Sequence, residues 1–142
     1  RYAGKRVAVA GSGHSALTAL VAFADLADQH PGTQVDWLLR RGSVGDTFGG
    51  GEADQLPARG ALGQRAAWSV AAGRIRTVTG FRTATVDAQP DGRIVLESVD
   101  GRRLVEALDD VLEADVRDDR LGGRHSASFT QTCLIRVYSS IE

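Results

Sequence analysis

The sequence predicts an α/β domain built on a parallel sheet. Three observations carry that expectation. A β-branched run stops at a glycine turn, an amphipathic helix follows at once, and a second apolar run ends in two arginines. The order strand, glycine turn, helix, strand, helix, strand implies right-handed crossovers that lay helices against the sheet. A later change to a period of two adds a set of short antiparallel strands.

Lys5 to Ala10 (KRVAVA) reads as a short buried strand ended by Gly11. Beyond the turn, Ala16, Leu17, Leu20, Val21, Phe23, Ala24 and Ala27 form a helical apolar face, with Asp25 and Asp28 on the other side. Pro31 and Gly32 end that helix near Gln29 or His30. Gln34 to Leu39 is a second buried strand, with Arg40 and Arg41 at its carboxyl end. Gly42 to Gly51 has too few apolar residues to pack, so a mobile surface loop is expected there. Pro57 opens a second helix over about Ala58 to Ala72, with Leu62, Ala66 and Val70 inward and Gly73 as its cap.

Ile75 to Thr79 is the third strand. Phe81 to Ala88 and Arg93 to Val99 are joined by the Pro90-Asp91-Gly92 turn, and Asp100-Gly101 leads into Arg102 to Glu106. Val111-Leu112 begins a further strand. After that no helical period is sustained, and only Cys133 to Tyr138 resembles a strand. The expected division is a nucleotide-binding domain over residues 1–112 and a divergent or poorly ordered segment over 113–142.

Composition narrows the functional classes. The 142 residues suffice for one core, and 42% hydrophobic with 25% charged residues is ordinary for a soluble protein. A net charge of −1 gives no electrostatic case for nucleic acid. No apolar run approaches the roughly 20 residues of a membrane helix. The one cysteine, Cys133, can close no internal disulfide, so a cytoplasmic setting is expected. The chain begins at Arg1 and contains no methionine, which reads as an internal piece of a longer protein. His14, His30 and His125 are scattered, and no metal-ligand spacing surrounds Cys133. The acidic run from Asp109 to Asp119 reads as a solvated surface.

The chemical signal is Gly11-Ser12-Gly13-His14-Ser15-Ala16, a G-x-G-x-x-A turn between a strand and a helix. Gly11 lets the chain turn sharply, Gly13 lets a pyrophosphate approach the backbone, and Ala16 lets the helix pack close to the sheet. The helix then directs free N–H groups and its positive dipole end at the phosphates. Ser15 either meets a phosphate or caps the helix. His14 either reaches the cofactor or is simply exposed.

Sites that prefer NADH usually end the second strand with a carboxylate for the ribose hydroxyls. Here Arg40 and Arg41 stand there. A guanidinium binds a 2′-phosphate bidentately, so the sequence favours NADPH over NADH. Ser43 adds a potential hydrogen bond to the same phosphate.

KRVAVAGSGHSA, then VDWLLRR, a glycine-rich loop, a helix and a β-meander together resemble the NAD(P)H domain of pyridine nucleotide-disulfide oxidoreductases and thioredoxin-reductase-like flavoproteins, with flavin-containing monooxygenases as relatives. The resemblance covers roughly Tyr2 to Leu112. It implies a Rossmann-like parallel sheet with helices on both faces and an antiparallel β-meander. It matches Gly11, Gly13, His14, Ser15 and Ala16 to the pyrophosphate turn, and Arg40 and Arg41 to the basic pair at the 2′-phosphate.

In that family NADPH delivers hydride to FAD, which a second module of the same parent protein holds. This chain departs in three ways. It has no second glycine fingerprint for FAD, no Cys-x-x-Cys, and EADVRDDR where an ATG-like segment and Arg-Pro would follow the meander. FAD is therefore expected only in a full-length protein. No side chain here need act as acid or base, because cofactors carry the chemistry. The alternatives are a non-catalytic NAD(P)-binding or sensing domain, and an enzyme using another adenine-containing ligand. Arg40-Arg41 weighs against a methyltransferase, which usually places an acid after its second strand.

Overall fold

The computed structural model describes residues 2–48, 57–101, 103–108, 110–113 and 136–139. Strand β1 (Arg6–Ala10) leads through the glycine turn into helix α1 (His14–Gln29) and strand β2 (Gln34–Leu38). A single 3-10 turn (Gly45–Thr47) precedes helix α2 (Pro57–Ala71) and strand β3 (Ile75–Val78). Strands β4 (Thr83–Ala88), β5 (Ile94–Ser98) and β6 (Arg103–Leu108) come next, then β7 (Asp110–Glu113) and β8 (Arg136–Ser139).

The main sheet has the order β3-β2-β1-β7-β8. The first four strands are mutually parallel, and β8 is antiparallel to β7. Val9 sits opposite Trp37, and Ala10 opposite Leu38. Strands β4, β5 and β6 form the separate antiparallel meander. The fold is α/β and Rossmann-like, as the sequence predicts.

The two faces of the main sheet are covered differently. Val7, Val9, Val35, Trp37, Leu39 and Ile75 point to one side and share a core with Leu17, Leu20 and Phe23 of α1 and Ala66 of α2. Ala8 and Leu38 point to the other side and pack with Phe81, Ile94 and Leu96 beside the meander. This corrects one expected detail. Both described helices share one face, and the meander occupies the opposite one. The physical reason lies in strand alternation: β5 presents Ile94 and Leu96 inward, an apolar pair that does the covering work of a helix.

The described part of the glycine-rich loop also differs from expectation. It is not a loose surface loop: Val44 and Phe48 pack against the helix-side core, and Thr47 is buried. The expected poorly ordered tail falls mostly on residues 114–135 and 140–142, which lie outside the described residues.

A buried carboxylate ties three parallel strands together. Asp36 of β2 has a side chain only 3% exposed and accepts from Arg6 Nε of β1 at 3.0 Å and Arg76 Nε of β3 at 2.6 Å. An isolated charge at that depth would cost several kcal/mol. Two guanidiniums on adjacent strands offset that cost and restrict the β1-β2-β3 register to one that keeps them in reach.

Candidate functional site

In this strand order the direction of winding reverses between β1 and β7, and the crevice of such sheets opens beyond the carboxyl ends of the strands. Gly11 leaves β1 at that point. Its φ of +126° lies where L side chains are strained, so glycine is required there for the backbone itself. Its amide donates to the Leu38 carbonyl at 3.2 Å, continuing the β1-β2 ladder one residue past the strand. Its own carbonyl accepts from the Trp37 indole Nε1 at 2.8 Å. The turn is thus held to β2 on both sides of one glycine.

Gly13 is the N-cap of α1, in extended conformation, and its carbonyl accepts the Leu17 amide at 3.1 Å. No side chain caps this helix, and no acidic residue stands in its first turn. The result is a 16-residue helix whose first turn carries no acidic residue to offset its positive dipole end. Ser12 and Ser15 are half-buried and His14 is exposed. Ala16 is fully buried, and a larger side chain there would push α1 off the sheet.

Arg40 and Arg41 begin two residues after Leu38, whose carbonyl meets Gly11. Two residues of extended chain span at most about 7 Å. Both arginines are exposed, and among the described residues neither is paired with a carboxylate. The backbone at Arg41 is fixed, since its carbonyl accepts the Gly80 amide at 2.7 Å. Ser43 is exposed on the following loop. All nine sequence-derived positions therefore fall at the carboxyl ends of β1 and β2, on the turn, the first turn of α1 and the loop after β2.

Sequence reasoning missed three residues that shape this region. Trp37 holds the glycine turn through its indole N–H. Phe48 packs on Trp37 with ring centroids 5.6 Å apart. Gly63 of α2 lies so close to the Phe48 carbonyl oxygen that a Cβ there would overlap it. One local signal pointed to Gly63: glycine inside a helix is unfavourable without a packing reason.

A cavity of about 500 Å³ lies elsewhere, lined by Arg6, Asp28, Asp36, Arg74 and Arg76 toward the amino ends of the strands. Its arginines are already engaged, with Asp36 and with Asp28. The α1 end without an acidic residue in its first turn, and the Arg40 and Arg41 guanidiniums without a carboxylate partner among the described residues, are the features that suit an anionic ligand.

This architecture is found in solved structures. The chain is similar to the Diels-Alderase PyrE3 of pyrroindomycin biosynthesis (TM-score 0.52, 13% identity, covering 78% of this chain and 32% of that one). It is similar to a protein assigned as thioredoxin reductase TrxB from Bacillus anthracis (TM-score 0.51, 13% identity, 78% and 36%). It is also similar to L-lysine 6-monooxygenase from Pseudomonas syringae (TM-score 0.50, 20% identity, 77% and 34%). The likeness is one of fold. The chain spans about a third of the length of these proteins. No protein-family description and no curated protein matches the sequence.

Proposed function

We propose that this chain is the NADPH-binding portion of an FAD-dependent oxidoreductase, with residues 1–112 as the nucleotide-binding domain. One observation carries the reading: a helix end with no acidic residue in its first turn, and two guanidiniums without carboxylate partners among the described residues, both at the carboxyl edge of a parallel sheet. The residues fit the cofactor. Backbone N–H groups at Gly13, His14 and Ser15 would hold the pyrophosphate. Arg40 and Arg41 would hold the 2′-phosphate, and Ser43 would add a hydrogen bond. When bound, NADPH supplies a hydride, and the flavin that accepts it would be held by a module of the same parent protein.

The chain's own part is to bind and orient. The dipole end of α1 fixes the pyrophosphate, which fixes where the nicotinamide extends from it. The basic pair selects the phosphorylated ribose. The sequence resemblance to thioredoxin-reductase-like flavoproteins and the fold shared with a thioredoxin reductase support this over other adenine-containing ligands. Titration with NADPH and NADH, followed by the quenching of its two tryptophans or by calorimetry, tests the reading. Tighter binding of NADPH is expected. Failure to bind either nucleotide would overturn the proposal.

A further inference from the structure

The segment after Arg40-Arg41 is tied down at both of its described ends. At its start, Arg41 accepts the Gly80 amide. Seven residues later, Phe48 sets its ring against Trp37, which is fully buried. The Phe48 carbonyl oxygen lies over Gly63 of α2, at a spacing only a glycine permits, and a Cβ there would also stand 3.3 Å from the Phe48 Cα. Between the two ties, Thr47 is buried and its amide closes the 3-10 turn onto the Val44 carbonyl at 3.0 Å. Trp37 meanwhile donates to Gly11. One indole thus contacts both halves of the candidate site: its N–H grips the glycine turn, and its ring supports the far end of the arginine loop.

From this geometry we infer that Phe48, seated between Trp37 and Gly63, is a positioning residue that sets nucleotide specificity by holding the Arg40–Ser43 loop in register with the glycine turn. The inference rests on the NADPH reading above. Specific recognition of a 2′-phosphate needs both guanidiniums at fixed distance from the pyrophosphate, because bidentate bonds weaken steeply with misalignment. A loop released at Phe48 keeps its charges and loses their placement. The glycine turn retains its own hydrogen bonds to β2, so binding of the pyrophosphate common to both nucleotides persists.

The test compares wild type with Phe48→Leu, Gly63→Ala and Trp37→Phe, titrated with NADPH and with NADH, each variant being checked for native circular dichroism and a cooperative melt. Phe48→Leu and Gly63→Ala leave Arg40, Arg41 and Ser43 intact. Each is expected to lower the NADPH-to-NADH affinity ratio by about three- to tenfold, with NADH binding nearly unchanged. Trp37→Phe keeps a ring for Phe48 but removes the donor to Gly11. It is expected to weaken both nucleotides together and to keep the ratio. A general loss of stability would lower both affinities in parallel for every variant, and that result, with the wild-type ratio retained in Phe48→Leu, would overturn the inference. Wild type without any preference for NADPH would instead remove the underlying reading, and the inference with it.

Discussion

The Gly11 amide donates to the Leu38 carbonyl at 3.2 Å, so the glycine turn and the strand that leads to Arg40 and Arg41 are hydrogen-bonded neighbours. A ligand with a diphosphate and a distal phosphate would meet both within one short stretch of sheet edge. Several consequences can be measured.

Gly11→Ala places a Cβ on a backbone with φ of +126°. Such strain costs about 1–3 kcal/mol. Relief by rotating the backbone would break the bonds to Leu38 and Trp37. Thermal unfolding should therefore show a lower Tm, and binding of both nucleotides should fall together. Binding and stability equal to wild type would mean that the turn tolerates the side chain.

Asp36→Ala removes the buried carboxylate that the Arg6 and Arg76 guanidiniums share. Breaking a buried pair costs about 3–5 kcal/mol. Because Arg76 is half exposed, solvent screens part of the loss, and about 2–3 kcal/mol is expected from denaturant unfolding. Arg76→Ala alone should cost less, since Arg6 still partners Asp36.

The Ser98 hydroxyl is buried and has no hydrogen-bond partner among the described residues. Removing it leaves only a small volume deficit and abolishes an unmet polar group. Ser98→Ala should be neutral or stabilising by up to about 1 kcal/mol. A clear loss of stability in the same unfolding assay would reveal a partner for this hydroxyl.

Asp91 sits in the Pro90-Asp91-Gly92 turn and accepts from the Arg93 side chain, Nε at 2.6 Å, and from the Arg93 amide at 3.1 Å. The Arg93 side chain first, and then its amide, hold the Asp91 carboxyl below its ordinary value. A depressed folded-state pKa stabilises the fold above the unfolded-state value, and that contribution is lost as pH falls through the folded one. The group is exposed to solvent, so the effect is local to the turn. An NMR titration of the Asp91 carboxyl should give a midpoint below the usual carboxylate range, and Arg93→Ala should return it upward.

Much of this architecture could be read from the residues. The periods of 3.6 in Ala16 to Ala24 and of two in Ile94 to Ser98 named the element types, and Pro31-Gly32 and Pro90-Asp91-Gly92 marked breaks that the structure also shows. The positions of the turn and the arginine pair followed from adjacency of β1 and β2. What could not be read depends on tertiary placement. The Trp37 indole looks like any core aromatic until its N–H is found on Gly11. Phe48 lies in a glycine-rich stretch whose local composition predicts no packing, and only the approach of α2 at Gly63 gives it a seat. Which element covers the second face is likewise set by tertiary placement: alternation in β5 is legible in the residues, while the face it reaches is not.

The central claim is the role of two guanidiniums, and one measurement tests it most directly: dissociation constants for NADPH and NADH on wild type and on Arg40→Ala/Arg41→Ala. Each hydrogen bond to a charged group contributes about 1.5–3 kcal/mol, and each 1.4 kcal/mol is tenfold in affinity. Wild type should prefer NADPH, and the double variant should lose about tenfold to a hundredfold for NADPH while NADH binding changes little. Equal affinities in wild type, or equal losses for the two nucleotides in the variant, would contradict it.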